Sequence, residues 1–310
     1  MLRRAESTEV PTVSVVVPTH NRNSDLERCL ATIRRLDPPA DEVIVVDSAP
    51  TGEGAREIAA RWRARYVREE RPGASRARNC GARAASGEIV AFTDDDAAPD
   101  PGWLGTLLPE FADPHVALVA GKVIVPAMQP QLNRLYELCG FIGQGEDRFT
   151  LDAETPQWFE RASFLPFGLA LNLAIRRSVF EHWGGFDERI GMGTRLPGHE
   201  EQRAFLDLIH LGFRLVYAPA ACVLHPLVPK TKEELRLRSL LRIQASAAYI
   251  TLLLVEEPRH RREVFAYVLH KFRGRSSVQP PENQVSNPVL PSYWARLQGP
   301  GIYFRMRREH

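Results

Sequence analysis

Cysteine is scarce in this chain: its four cysteines lie far apart and form no CxxC pair. A disulfide framework and a zinc knuckle are therefore both disfavoured, and reduced thiols are expected. The first residues, MLRRAESTEVP, contain no apolar stretch and do not form a secretory signal. The longest uncharged apolar run near the C-terminus, 243–255, has 13 residues, whereas a membrane span needs about 20. We therefore expect a chain that is not integral to a membrane.

Motifs that mark several common enzyme classes are also missing. The chain contains no GxxxxGK[ST], no GxSxG and no HExxH, and Gly52-Glu53-Gly54 lacks the third glycine of a dinucleotide-binding loop. These absences disfavour P-loop NTPases, serine hydrolases, zinc peptidases and NAD-dependent oxidoreductases.

Neither sign of charge dominates, with 40 basic and 38 acidic side chains, but the charges are unevenly distributed. Residues 226–310 contain 15 lysines and arginines and 7 acidic residues. Residues 1–225 contain 25 lysines and arginines and 31 acidic residues. A basic segment on an acidic body suggests an anionic partner, such as an anionic membrane surface or a phosphorylated acceptor. A solvated basic helix face explains the pattern equally well. Nucleic acid is disfavoured, because the basic charge lies in one segment of the chain and no motif of a nucleic-acid-binding fold is present.

What the chain does contain is an alternation of apolar strands and amphipathic helices. The strands show no polar alternation, as expected for a sheet covered on both faces. The pattern predicts an α/β fold with a doubly wound sheet. Predicted strands are 13–17, 42–47, 65–67, 88–96, 115–125 and 213–225, and predicted helices are 24–36 (with Ser24 as the N-cap), 53–65, 75–85 and 200–212.

A helical extension follows this region. Thr231-Lys-Glu-Glu234 has the pattern of a capping box and predicts a helix that ends near Glu257. A further helix is predicted over 263–272. Five prolines between residues 280 and 300 predict that 274–301 has no regular structure.

Polar side chains follow three of the predicted strands. Thr19, His20 and Asn21 follow the first, Asp47 ends the second, and Asp94-Asp95-Asp96 follow the buried strand that begins near residue 88. In doubly wound folds, ligands bind beyond the carboxyl ends of the strands. Three adjacent carboxylates repel one another, and a divalent cation such as Mg²⁺ or Mn²⁺ relieves that repulsion. A solvated acidic turn is the alternative.

Three further groups can carry chemistry. Glu200-Glu201 opens a helix, where a carboxylate either acts as a general base or only interacts favourably with the helix dipole. His225 closes a strand and either completes a metal shell or only forms a hydrogen bond. Arginines in the run RPGASRARNCG either bind phosphates or form a solvated helix face; this run includes Arg71, Arg76, Arg78 and Asn79.

Taken in order, several segments resemble the family 2 glycosyltransferases of GT-A fold. The matching segments are VSVVVPTHNR (13–22), EVIVVD (42–47), RPGASRARNCGARAASGEIVAFTDDD (71–96), PGWL (101–104), GLALNLAIRR (168–177), GGFDE (184–188) and GHEEQRAFLDLIHLGFRLVYAPAACVLH (198–225). The resemblance implies a Rossmann-like, doubly wound mixed sheet with a C-terminal helical extension. It also implies an N-terminal arm (1–12), a glycosyltransferase domain (13–225, with a nucleotide-binding half at 13–100 and an acceptor half at 101–225) and a basic, Pro-rich extension (226–310).

The resemblance also implies roles for individual residues. Glu201 matches the expected catalytic base, with Glu200 beside it, and Asp94 and Asp96 match the outer positions of the DxD motif. The residues expected to contact the nucleotide sugar are Pro18, Thr19, Asn21, Asp47, Arg76, Arg78, Asn79, Asp94 and Asp95. The residues expected to hold a divalent metal, Mn²⁺ or Mg²⁺, are Asp94, Asp96 and His225. Two positions depart from the family pattern: Ser48 replaces a second acidic residue that reads the base, and Glu201 stands where aspartate is usual.

The implied reaction is inverting transfer of a sugar from a nucleoside diphosphate to an acceptor hydroxyl of a glycan, a lipid-linked molecule or a small molecule. The implied setting is the cytoplasm, including the inner face of the membrane. Two rivals stay open: a nucleotidyltransferase, and a catalytically silent protein that binds sugar nucleotides or acts as a scaffold. A nucleotidyltransferase is expected to have a glycine-rich loop after its first strand, but PTHNRNSD (18–25) contains no glycine. The presence of both acidic motifs disfavours the silent binding protein.

Overall fold

A nine-stranded mixed sheet organises the computed structural model, which describes residues 10–125, 145–225, 231–272 and 293–309. The strand order is β3-β2-β1-β4-β8-β6-β9-β5, and β7 pairs with β9. Strands β3, β2, β1 and β4 are parallel, and β8 lies antiparallel between β4 and β6. The strands are β1 (Val13–Thr19), β2 (Glu42–Ser48), β3 (Arg65–Glu69), β4 (Ile89–Phe92), β5 (Ala98–Pro99), β6 (Val116–Ile124), β7 (Phe149–Leu151), β8 (Leu173–Arg176) and β9 (Arg214–Leu224).

Helices cover both faces of this sheet. Those between the strands are α1 (Asn23–Ile33), α2 (Gly54–Arg61), α3 (Ala74–Ala84), α4 (Trp103–Leu107), α5 (Trp158–Phe164), α6 (Phe180–Trp183) and α7 (Glu200–His210). The extension contains α8 (Lys232–Glu256), α9 (Arg261–Phe272) and α10 (Tyr293–Glu309). The predicted α/β fold and the helical extension are thereby confirmed.

Alternate residues of a strand pack against opposite helical layers. In β1, Val15 and Val17 lie in one buried cluster with Leu26 of α1, whereas Val16 lies in another with Ala77 of α3. Both faces of β1 are therefore apolar, which explains why the strand sequence shows no polar alternation.

The helix α3 lies very close to the sheet because residue 81 is glycine. A Cβ atom at this position would lie 2.3 Å from Cγ1 of Val16 and 3.0 Å from Cγ2 of Val46. Any larger residue would push the helix outward. The close approach places Arg78, one turn earlier, within reach of the carboxyl end of β4.

Two predictions about element boundaries are wrong. The helix α1 begins at Asn23, so Ser24 lies inside the first turn, and the N-cap position is Arg22 without a side-chain cap. The strand β4 ends at Phe92 rather than at residue 96, and the three aspartates follow the strand, as predicted. Strand pairing sets this end, because β8 pairs with Ile89–Phe92 and no further.

The extension packs onto the domain mainly through α8 and α10. The predicted helix start is confirmed, with one of the two hydrogen bonds of a capping box: the Thr231 hydroxyl accepts a hydrogen bond from the Glu234 backbone at 3.1 Å. Tyr249, Leu252 and Tyr303 are fully buried in a cluster that includes Leu206 of α7. The extension thus adds a third buried cluster beside the two that flank the sheet.

The prediction of irregular structure over 274–301 is wrong where it can be compared, because α10 begins at Tyr293 and contains Pro300. The rest of that prediction, 274–292, lies outside the described residues. Gly299 allows α10 to approach α8 so closely that a Cβ atom would lie 2.4 Å from that of Ala247. Helix packing at this contact, with buried Tyr303 and Met306, outweighs the helix-breaking tendency of proline.

Residues 236–256 of α8 form a helix that is long and apolar enough to span a membrane, judged by length and composition alone, and a third of it is buried in the protein. Six of the eleven large apolar side chains that are exposed in the described residues lie in the extension: Leu237, Leu241, Phe265, Leu269, Leu297 and Phe304. Contact between this basic extension and an anionic membrane stays a prediction, as do the domain boundaries.

Candidate active site

The acidic turn after β4 is bonded to the loop that follows β1. The Thr19 hydroxyl donates a hydrogen bond to Oδ2 of Asp95 at 2.7 Å. The Arg22 guanidinium pairs with Oδ1 of Asp95 at 3.3 Å and with Oδ2 of Asp96. Residues separated by more than 70 positions are thus brought together because β1 and β4 are neighbouring parallel strands.

The environment of this turn shifts its carboxyl groups in opposite directions. Burial raises the pKa of Asp95 to about 6. Burial also acts to raise the pKa of Asp96, but its hydrogen bond with His225 and the charge of Arg22 lower it below the usual range. A turn of this kind holds excess negative charge that an added cation offsets.

The donor set at the turn suits a divalent metal. Nε2 of His225 lies 3.4 Å from Oδ1 of Asp96, so the sequence-predicted histidine and aspartate lie side by side. Carboxylate oxygen with imidazole nitrogen is a ligand combination that suits Mn²⁺. The positive guanidinium of Arg22 already lies against this turn. Because 48% of the Arg22 side chain is exposed, it can turn towards solvent when a metal binds. Asp94 differs, because its carboxylate is paired with Arg78.

Arg78 connects the acidic turn to the Glu200-Glu201 pair. Its Nη2 lies 3.0 Å from Oδ1 of Asp94, and its Nη1 lies 3.2 Å from Oε1 of Glu200. The side chains of Arg78 and Glu200 are only 4% and 5% exposed. We therefore assign Arg78 a positioning role between the two acidic motifs.

Replacing Arg78 by methionine is expected to destabilise the protein by about 3–5 kcal/mol, because Glu200 is left buried without its partner. Urea denaturation measures this change. Arg71→Met is the matched control: Arg71 is 62% exposed and lies 3.6 Å from Glu69 and from Glu188, and a cost of about 0–1 kcal/mol is expected. Equal costs for the two variants would refute the positioning role.

The two glutamates at the start of α7 have different surroundings. Glu200 is buried, and its second oxygen, Oε2, has no hydrogen-bond partner. Glu201 is partly exposed, and its Oε1 accepts a hydrogen bond from the backbone N–H of Ala170 at 3.1 Å. Burial and the charge of Glu200 raise the pKa of Glu201 to about 7, although Arg78 opposes this shift. A carboxylate with such a pKa is a suitable proton acceptor near neutral pH.

A second polar group lies at the ends of β1 and β2. Asp47 is buried, and its Oδ2 accepts a hydrogen bond from the Tyr66 hydroxyl at 3.0 Å. Burial raises the pKa of Asp47, although this hydrogen bond opposes the shift. Asn21, with a left-handed φ of 55°, accepts hydrogen bonds from the backbone and hydroxyl of Thr51. Pro18 pairs with Val46 in the sheet beside these residues.

Two residues predicted to contact the donor lie away from the acidic turn. Asn79 is buried, and its amide donates to the Phe186 carbonyl and accepts from the Phe186 backbone N–H, both at 2.8 Å. Arg76 lines a separate open pocket with Arg71 and Glu188. Asn79 therefore anchors the loop that contains Phe186, and neither residue is proposed as a donor ligand.

The prediction from sequence missed two residues of this site. Arg22 is the last residue of the matching segment VSVVVPTHNR, so its position was a usable signal. Tyr66 lies in β3, and only the pairing of β3 with β2 brings it to Asp47. The sequence around Tyr66 gives no sign of this contact.

Comparisons with known proteins identify glycosyltransferases. The family model of Glycosyl transferase family 2 matches residues 14–184. Glycosyltransferase AglE of Haloferax volcanii is 28% identical over 228 residues, which cover 71% of this chain and 68% of that protein. Validoxylamine A glucosyltransferase of Streptomyces hygroscopicus subsp. limoneus is 38% identical over 232 residues, which cover 62% of this chain. The match spans about half of that relative, 49% of its length.

Among solved structures, the chain is similar to the mannosyltransferase PcManGT from Pyrobaculum calidifontis in complex with GDP-Man and Mn²⁺. The TM-score is 0.56 at 23% identity, over 98% of this chain and 77% of that one. At this identity the likeness concerns the fold.

Proposed function

Since the chain belongs to glycosyl transferase family 2 and has the GT-A fold, we propose that it transfers a sugar, with inversion, from a nucleoside-diphosphate sugar to an acceptor hydroxyl. The observation that carries this proposal is the buried Arg78, which contacts both acidic motifs. Arg78 therefore links a turn suited to a metal and a diphosphate to Glu200, and the neighbouring residue, Glu201, is the carboxylate able to accept a proton.

Glu201 is the proposed general base. Its partial exposure allows contact with an acceptor, whereas Glu200 is buried and paired with Arg78. As the acceptor oxygen attacks the anomeric carbon, Glu201 takes the proton from that hydroxyl. Glu200 and Arg78 hold the start of α7 in place. No covalent intermediate with the protein is required.

The leaving diphosphate is proposed to bind at the acidic turn. Asp96 and His225 would hold a divalent metal, with Asp94 completing the set, and the bound metal would offset charge on the departing diphosphate. Asp95 is oriented by Thr19 and contributes contacts to the donor. The proposed metal is Mn²⁺ or Mg²⁺, and the sequence does not choose between these two ions.

The nucleotide is proposed to bind along the ends of β1 and β2. Pro18, Thr19 and Asn21 belong to the first of these ends, and Asp47 to the second. Tyr66 holds the carboxylate of Asp47 through its hydroxyl, which fixes the acceptor oxygen presented to a base. Because Ser48 replaces a second acidic residue, the identity of the donor's nucleobase is to be established by experiment.

A panel of nucleotide sugars tests this proposal. With Mn²⁺ present, one of the UDP-, GDP-, dTDP- or CDP-sugars is expected to release its nucleoside diphosphate slowly to water and faster with a hydroxyl acceptor. A protein that only binds sugar nucleotides releases none, and a nucleotidyltransferase releases pyrophosphate from a nucleoside triphosphate and a sugar phosphate. Either of these two results would overturn the proposal.

The proposal includes a setting for the reaction. Sugar nucleotides are available in the cytoplasm, so we place the enzyme there, with glycans, lipid-linked molecules and small molecules as acceptor classes. Residues 13–100 form the proposed nucleotide-binding half and 101–225 the acceptor half.

A further inference from the structure

Two carboxylate–histidine pairs meet where the extension joins the catalytic domain, away from the proposed donor site. Asp207 and His210 lie three positions apart on the last turn of α7, and Glu257 and His260 have the same spacing just after α8. Side chains three positions apart on a helix face the same side. Paired carboxylate-x-x-His segments are an arrangement that metal sites in helical proteins use.

The side chains of the two pairs converge. Nε2 of His210 lies 2.9 Å from Nε2 of His260. One ligand atom each from Asp207, His210 and Glu257 lie within 4.8 Å of one another. We propose that these four side chains bind a divalent transition-metal ion of the Zn²⁺ class, a site separate from the metal at the acidic turn.

The separations fit such an ion after small side-chain movements. Tetrahedral Zn²⁺ has ligands at about 2.0–2.2 Å, which places neighbouring ligand atoms about 3.4 Å apart. The two imidazole nitrogens are slightly closer than this, and the ligand atoms of Asp207, His210 and Glu257 are up to about 1.4 Å further apart. His260, which contacts His210, would have to turn towards the two carboxylates to complete the shell. Two imidazoles and two carboxylates are a donor set typical of zinc rather than of Mg²⁺ or Ca²⁺.

Around these four side chains, the carboxylates outnumber the partly buried arginines. Two groups of ion pairs contribute four carboxylates here: Arg203 pairs with Asp207 and Glu257, and Arg189 pairs with Asp187 and Glu256. Two partly buried guanidiniums, Arg189 and Arg203, balance half of this charge. A third, Arg259, is 66% exposed and lies 3.7 Å from Glu257, so solvent screens it. A divalent cation would offset the remainder.

Arg203 contacts both candidate carboxylates, at 3.0 Å to Asp207 and 2.9 Å to Glu257. These contacts are compatible with metal binding, because each carboxylate oxygen has two lone pairs. In that state Arg203 would support the ligands from outside the metal shell.

Aromatic packing restrains the two imidazole rings. Trp158 contacts both His210 and His260 edge to face, at centroid distances of 5.4 and 5.3 Å. Phe159 stacks on His260 at 4.2 Å. The rings are thus held in position before a metal arrives, which lowers the cost of ordering them.

A metal here would join the extension to the helix that contains the proposed base. Glu201 lies on the first turn of α7 and His210 on its last, about 14 Å apart at 1.5 Å per residue. The ion would therefore take no part in the chemistry at Glu201, and its expected role is to fix α7 against the extension.

Zn²⁺ alone, added to the full chain after removal of metals by chelation, tests the site. After gel filtration, the Asp96→Asn variant, which lacks the acidic-turn ligand, is expected to retain one zinc per chain and to show a raised Tm. In that background, His210→Gln and His260→Gln are each expected to weaken zinc binding by more than about 100-fold, the upper range for losing a supporting residue. His182→Gln, which changes an exposed histidine, is the matched control with no expected effect.

Zinc binding that is the same in His210→Gln, His260→Gln and the control would overturn the site, as would no retained zinc in Asp96→Asn. If the histidine variants do not fold, X-ray absorption of Zn²⁺ in the Asp96→Asn chain decides the matter. Two imidazole ligands support the proposal, and a shell of oxygen alone refutes it. None of these measurements depends on sugar transfer, so failure here and failure of the proposed function are distinguishable.

Discussion

Replacing Glu201 by glutamine is expected to lower kcat by about 10²–10⁴-fold, the range for loss of a general base. Glutamine keeps the size of the side chain and can still accept the hydrogen bond from the Ala170 backbone, but it cannot take a proton. Donor binding, measured as nucleotide-dependent stabilisation, is expected to be unchanged. The two assays together separate a chemical effect from a folding effect.

The neighbouring glutamate supplies the comparison for this prediction. Glu200→Gln removes the charge that pairs with Arg78, so we expect lower stability and a smaller loss of kcat than in Glu201→Gln. If Glu200→Gln abolishes turnover while Glu201→Gln retains it, the two roles are reversed.

The pH dependence of the wild-type enzyme should report the same group. Because burial and the Glu200 charge raise the pKa of Glu201 to about 7, the base loses its proton only as the pH rises through neutrality. Activity is therefore expected to fall about tenfold per pH unit below that value, and Glu201→Gln should lack this limb. A profile that is flat down to pH 5 would contradict the assignment.

Replacing Asp96 by asparagine is expected to abolish the stabilisation that Mn²⁺ and the preferred nucleoside diphosphate give together. A ligand at 100 times its Kd contributes about 2.7 kcal/mol, or a rise in Tm of about 4 °C for a chain of this size. Asp96 contacts both His225 and Arg22 and is the proposed metal ligand, so its replacement removes that ligand together with these two contacts.

Asp147→Asn is the control for this experiment, since Asp147 is an exposed aspartate outside the acidic turn. It should retain the full shift in Tm. A shift that persists in Asp96→Asn at the same metal concentration would show that the nucleotide binds without this carboxylate. The acidic turn would then be a solvated loop rather than the diphosphate site.

Much of the fold was predictable because local patterns carried it. The unbroken apolar strands predicted a sheet covered on both faces, and the two buried clusters on either side of β1 confirm it. Thr231 and Glu234 predicted a helix start from four residues, and the hydrogen bond between them confirms it. Features that depend on a few neighbouring residues are readable in this way.

The helix α10 was not predictable, because its stability comes from a distant segment. Pro300 and Gly299 both disfavour a helix locally, yet Gly299 is what allows contact with Ala247 of α8. Arg78 is a similar case. Its sequence context indicated a phosphate ligand, and only the close approach of α3 to the sheet showed that two acidic side chains enclose it.

By itself, the sequence indicated the family, through its resemblance in a series of ordered motif segments, and it determined the alternating α/β architecture and the types of residue at the strand ends, because these depend on local patterns. Tertiary structure alone decided which of two adjacent glutamates is buried, that Asn79 anchors a loop, and that Asp207, His210 and Glu257 meet, with His260 against His210. The physical reason is that burial and charge pairing arise between residues far apart in the chain, and no local pattern records those distances.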